Sequence, residues 1–134
     1  MPTWQDALYE AHLKKQSALA PATTAKVIRQ SERTLNKTEA RFHLDKLLPW
    51  LATGEIDRVG EHESVRFAIG NGVTFAPDWP AWKDGRLRFY EVKGAFIRED
   101  AIVKLKCFAT QYPEHELWLY QWKGGDWIVQ RILP

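Results

Sequence analysis

The sequence predicts an α/β protein in which helices precede and interrupt a run of strands, behind a helical N-terminal arm. Two observations carry this. The pattern changes at Gly54 from helical spacing to short β-type runs divided by turn signals. One further helical segment, at 98–112, then separates the first strands from the last two.

Within the arm, residues 3–18 place Ala7, Leu8, Ala11 and Ala18 near one stripe, and Asp6 and Glu10 precede Lys14 at helical spacing. The stretch LAPATTA reads as a break, and residues 23–34 read as a second short helix. Residues 36–48 form a clearer helix. Asn36 is a good N-cap and Glu39 stands at the capping-box position three residues on. Ala40, Phe42, Leu44, Leu47 and Leu48 are its expected buried surface, Pro49 ends or kinks it, and Gly54 closes the segment.

VRFAI, Asn71-Gly72 and VTFAPDW then read as a hairpin with a primed two-residue turn. Lys83-Asp84-Gly85 turns the chain into RLRFYEVKG, giving three strands before the helix. In that helix Ile102, Leu105, Phe108, Ala109 and Tyr112 share a side, and Glu99 and Asp100 suit its N-terminus. ELWLYQW, Gly124-Gly125 and DWIVQRIL supply the last two strands.

With 134 residues, the chain can bury one real core and hardly two. No apolar run approaches the length of about 18 that a membrane span needs. MPTWQDALYEAHLKK has no apolar core of a secretory signal. Cys107 is the single cysteine, which suits a reducing cytoplasm. Net charge is +2, and it sits in residues 1–36, where five basic side chains face three acidic ones. A DNA-binding protein that works by charge alone would be more basic. If the partner is nucleic acid, something must offset any local acidic cluster, and a metal ion could.

Such a cluster is visible. Asp78 and Glu91 lie thirteen residues apart at the facing ends of two consecutive strands. Lys93 follows two residues after Glu91, so both point to one face of the strand. Glu39 could join them from the helix. Three carboxylates and a lysine make an oxygen-rich site of the kind Mg²⁺ or Mn²⁺ prefers. Taken singly, Asp78 could end a strand, Glu91 and Lys93 could form a solvated edge, and Glu39 could be only a capping partner.

Pro77-Asp78 followed by Glu91-Val92-Lys93 resembles the PD-(D/E)xK nuclease signature. Asn36-Lys-Thr-Glu39-Ala-Arg resembles the acidic helix that precedes the sheet in that superfamily. EVKG, a helix with Lys104 and Lys106, and Tyr112-Pro113 before a strand resemble small phage and prophage nucleases related to junction-resolving endonucleases. The resemblance covers about residues 36–122 and implies a restriction-endonuclease-like mixed β-sheet flanked by helices. It divides the chain into an arm, 1–35, and a nuclease domain, 36–134. It implies Mg²⁺- or Mn²⁺-dependent hydrolysis of DNA phosphodiesters, with branched DNA such as a Holliday junction as substrate. Linear-duplex or single-strand cleavage, or a non-catalytic DNA-binding or packaging role, are the alternatives. By position, Asp78 and Glu91 bind metal, Lys93 assists the water, Glu39 completes the acidic set, and Glu63 is a further ligand candidate. Lys104, Lys106, Lys14, Lys15, Arg29 and Arg33 are candidate phosphate contacts. A junction cutter needs two active sites, hence a homodimer, and phage or prophage origin would place it in the bacterial cytoplasm.

The other polar groups read as structural. The four histidines have no zinc spacing. His43 falls one turn after Glu39 and could approach the site, but reads more simply as a helix-surface residue. Glu61-His62-Glu63 and Glu114-His115-Glu116 read as solvated charge clusters. Trp118, Trp122 and Trp127 read as core or interface. Trp79 and Trp82 flank the site, and packing competes there with stacking on a splayed base.

Overall fold

The structure, a computed structural model, describes residues 35–134. The two predicted arm helices, with Lys14, Lys15, Lys26, Arg29 and Arg33, lie outside the described residues.

Helix α1 (Lys37–Phe42) starts on the expected capping box, runs through a π-helical turn at His43–Leu47, and continues as α2 (Leu48–Thr53). Pro49 therefore does not end the helix. Proline lacks an N–H and crowds the carbonyl four residues back, and the widened turn before it accommodates both effects. The extra residue changes the helix phase. Leu47 falls beneath Phe42 and both are fully buried, whereas Leu44 and Leu48, expected inside, are 64% and 44% exposed. Gly54 ends α2 at φ 79°, the left-handed conformation open to glycine.

The strands are β1 (Arg58–Val59), β2 (Phe67–Gly70), β3 (Val73–Phe75), β4 (Trp79–Lys83) and β5 (Arg86–Lys93), then β6 (Glu116–Lys123) and β7 (Asp126–Ile132) after helix α3 (Glu99–Gln111). Among the described residues five strands, not three, thus precede α3. The run VTFAPDW divides, because the chain leaves one sheet at Phe75 and enters another at Trp79. β2 and β3 pair as a separate hairpin, and the main sheet has the order β1-β4-β5-β6-β7. Only β5 and β6 are parallel, joined by the crossover through α3, so the sheet is mixed.

Each face of the sheet has its own core. Trp79, Ala81, Tyr90, Val92 and Tyr120 pack beneath Phe42 and Leu47. Phe89, Leu117 and Leu119 pack beneath α3 through Leu105 and Phe108, with Ile69 and Phe75 of the hairpin. The predicted apolar side of α3 is the one buried. Trp79 and Trp82 are also buried, which makes them packing residues and removes them as stacking platforms.

Candidate metal centre

The β4–β5 ladder stops at Trp79 opposite Tyr90. One residue further out, side chains take over from the backbone. The Asp78 N–H donates to Glu91 Oε1 at 3.1 Å, and the Val92 N–H donates to Asp78 Oδ2 at 2.7 Å. This exchange satisfies two donors that the ended ladder would leave bare, and it fixes both carboxylates although they are buried. Lys93, on the same strand face as Glu91, places Nζ 3.2 Å from Glu91 Oε2.

Glu39 reaches the same place from α1 and serves two purposes. Its Oε1 accepts from the Asn36 N–H at 3.2 Å, and its backbone N–H donates to Asn36 Oδ1 at 2.8 Å, closing the capping box. Its Oε2 contacts His62 Nε2. The two readings of Glu39, helix cap and site residue, are therefore compatible.

His62 corrects the sequence reading. Its side chain is only 7% exposed, although Glu61 and Glu63 on either side are exposed, so the solvated-cluster reading fails at the histidine. The ring lies edge-on to Trp79 with centroids 5.0 Å apart, and Nε2 is 3.5 Å from Asp78 Oδ1. The backbone explains the placement. Asp57 N–H bonds Trp82 O, Gly60 N–H bonds Pro80 O and Glu63 N–H bonds Asp78 O, so residues 57–63 follow β4 well past the two-residue β1. Pro80 cannot donate back, which ends regular pairing there. A Cβ on Gly60 would lie 2.6 Å from Pro80 Cγ, so only glycine lets the chain pass and fold His62 inward. Nothing in residue spacing reveals this, because Gly60 and Pro80 meet only in the folded chain.

Burial opposes charge on His62, but hydrogen bonds and charge from Asp78 and Glu39 outweigh it and raise its pKa to about 10. Burial, and next the Asp78 carboxylate, push Glu91 up to about 8 against the pull of Lys93. Lys93 is raised, because the attraction of Glu91 and Asp78 exceeds the cost of burial. Without metal, an imidazolium thus balances the acids.

The donor set fits a divalent cation. Glu39, His62 and Asp78 each offer a ligand atom, all within 4.8 Å of one another. The carboxylates suit Mg²⁺ or Mn²⁺, and the imidazole shifts preference toward Mn²⁺ and other transition ions. His62 must lose its proton to ligate. Glu91 borders this cluster through its bond to Asp78.

In front lies a cleft of about 300 Å³, lined by Glu63, Arg66, Asp78, Glu91, Lys93 and Lys104 among others. Glu63 is exposed on its wall and stands outside the cluster of Glu39, His62 and Asp78. Lys104 reaches the cleft; Lys106 is exposed and does not line it. His43 is half-buried, its ring 6.3 Å from that of Trp79. No helix among the described residues is long and apolar enough to cross a membrane. The described residues thus form a small α/β domain with a five-stranded mixed sheet and a buried cluster able to chelate a divalent metal. No protein-family model, curated protein or solved structure matches it.

Proposed function

We propose that this protein is a metal-dependent DNA endonuclease of the PD-(D/E)xK type, acting on branched DNA. The observation that carries the reading is the junction of β4 and β5. There two buried carboxylates replace the end of a ladder, a lysine pairs with one of them, and an open cleft gives access. A core that needed only stability would gain little from this arrangement, since burying like charges together is costly.

Asp78, Glu39 and His62 would hold the metal, with Glu91 beside them. The bound ion would polarise a phosphoryl oxygen and lower the pKa of water. Lys93 Nζ, kept at Glu91 Oε2, orients the attacking water and offsets charge that develops on the phosphoryl oxygens. Glu91 holds Lys93 in place and, at the base of the cleft, can accept a proton from the water. Trp79 shields the closed side of the cluster. Branched DNA as substrate, a homodimer with two active sites, and phage origin follow from the family resemblance.

Incubation of supercoiled plasmid with Mn²⁺ or Mg²⁺ tests the reading. Nicking that EDTA abolishes is expected; full activity in saturating EDTA, or none with either metal, would sink it. Cleavage of a synthetic four-way junction against a matched linear duplex then separates branched-DNA cleavage from simple duplex cleavage.

A further inference from the structure

Among the described residues, three cations line the cleft, and they differ in what they face. Lys93 is engaged by Glu91 at 3.2 Å. Arg66 and Lys104 also line the cleft, and among the described residues neither forms an ion pair with a carboxylate. Asp100, the acid nearest Lys104 in sequence on the same wall, is taken by Arg98 at 3.2 Å.

Arg66 stands just before β2, and its Nη1 donates to Thr74 Oγ1 of β3 at 2.9 Å. A neutral hydroxyl thus fixes the guanidinium across the hairpin without discharging it. Lys104 comes from α3, where Asp100, Ala101 and Lys104 form one stripe along the cleft. The two walls are locked together, since Phe67 of β2 packs edge-on against Phe108 of α3 with centroids 4.8 Å apart. Two cations without a carboxylate partner therefore stand on packed walls beside the buried cluster.

We infer that Arg66 and Lys104 are phosphate-binding residues that seat the strand to be cut. The inference rests on the nuclease reading for its ligand, a nucleic-acid backbone. It adds Arg66, which no motif in the sequence marks. Arg66 suits a two-pronged grip on phosphate oxygens, and Lys104 acts as a point charge.

The test is fluorescence anisotropy of labelled single-stranded and duplex DNA, with Ca²⁺ as the metal and KCl varied. Each phosphate contact contributes about 0.9 to the salt slope for duplex and about 0.7 for single strands. Arg66→Ala and Lys104→Ala should each lower the slope by about that amount, and the double variant by about twice as much. Arg66→Lys should retain most of the slope, and so should Thr74→Val. Arg86→Ala, at the opposite end of β5, should match the wild type. Both target side chains are exposed, so the variants should fold, which thermal melts verify.

Unchanged slopes in both alanine variants would overturn the inference. So would an Arg66→Lys loss as complete as that of alanine, which would mean that Arg66 only braces the hairpin. Wild-type cleavage measured in parallel separates this from the nuclease reading. Cleavage with unchanged slopes removes the phosphate contacts alone. Reduced slopes without cleavage keep the contacts and remove the nuclease. Absence of DNA binding by the wild type removes the contacts as well.

Discussion

The site has two halves that meet at Asp78. One half, Glu39 and His62, lies between α1 and the edge of Trp79 and is almost closed to solvent. The other half, Glu91 and Lys93, opens onto the cleft, with Lys93 Nζ at its edge. In the closed half each carboxylate oxygen of Glu39 has a partner, and His62 is fixed by a backbone run along β4, as the proposed metal binding requires. In the open half the lysine lies near both a carboxylate and solvent, as the proposed reaction requires. Substitutions should therefore damage turnover in the open half and metal affinity in the closed half.

The largest effect should come from Asp78, which belongs to both. Asp78→Asn should cut plasmid nicking by about a thousandfold or more while the circular dichroism spectrum stays native. Activity near wild type would dissolve the comparison. Lys93→Ala should follow, with turnover down about a hundredfold to a thousandfold and Mn²⁺ affinity nearly unchanged by calorimetry. Parallel losses in affinity and turnover would place Lys93 in the holding half.

A smaller effect is expected in the closed half. His62→Ala should weaken Mn²⁺ binding by about tenfold or more and should weaken Mg²⁺ binding less. Glu39→Gln separates cap from ligand: glutamine can keep the capping box, so the melting temperature should hold while metal affinity falls. If both stay constant, Glu39 is a cap only.

The smallest effect concerns pH in the metal-free protein. His62 and Glu91 both have pKa values raised by folding, to about 10 and about 8. The folded state therefore binds protons more tightly than the unfolded chain, and stability falls as pH rises through those values. For His62 the contribution is complete below its unfolded value near 6.5 and is lost through about 10. For Glu91 it is complete below 4.5 and is lost through about 8. Melting temperatures in EDTA should decline from pH 6 to pH 10, and His62→Ala should flatten the upper part of that decline.

The open half was legible in the sequence because local rules produce it. A two-residue turn at Asp84-Gly85, where both φ angles are positive, sets the β4–β5 register, and register brings Asp78 to Glu91. Strand alternation then aligns Glu91 with Lys93. Glu39 was legible through its cap. The closed half was not, because His62 arrives by a long backbone run whose pairing depends on a glycine meeting a proline ring in space. The break of VTFAPDW into two strands escaped for a related reason: Pro77 and Asp78 leave the ladder to build the site, and a β-rich composition conceals the gap. Leu44 and Leu48 face solvent because the π turn breaks the straight α-helical period that would have buried them.

That turn has a consequence for how the protein tolerates changes in chain length. Hydrogen bonds there span one residue more than in an α-helix, so His43–Leu47 contains a residue that regular helix would not need. Deleting one residue within it should restore ordinary winding. The helix would survive, but its two halves would rotate relative to one another by about 100°. With α2 anchored by Trp50 and Leu51 against the aromatic core, Glu39 would swing away from His62 and Asp78, and Phe42 would leave its place in the core. Elsewhere a one-residue deletion in a surface helix would shorten it; here it would misdirect a ligand. The insertion thus acts as a phase adjuster, letting one helix bury Phe42 and Leu47 in the core and still bring Glu39 to the candidate metal cluster.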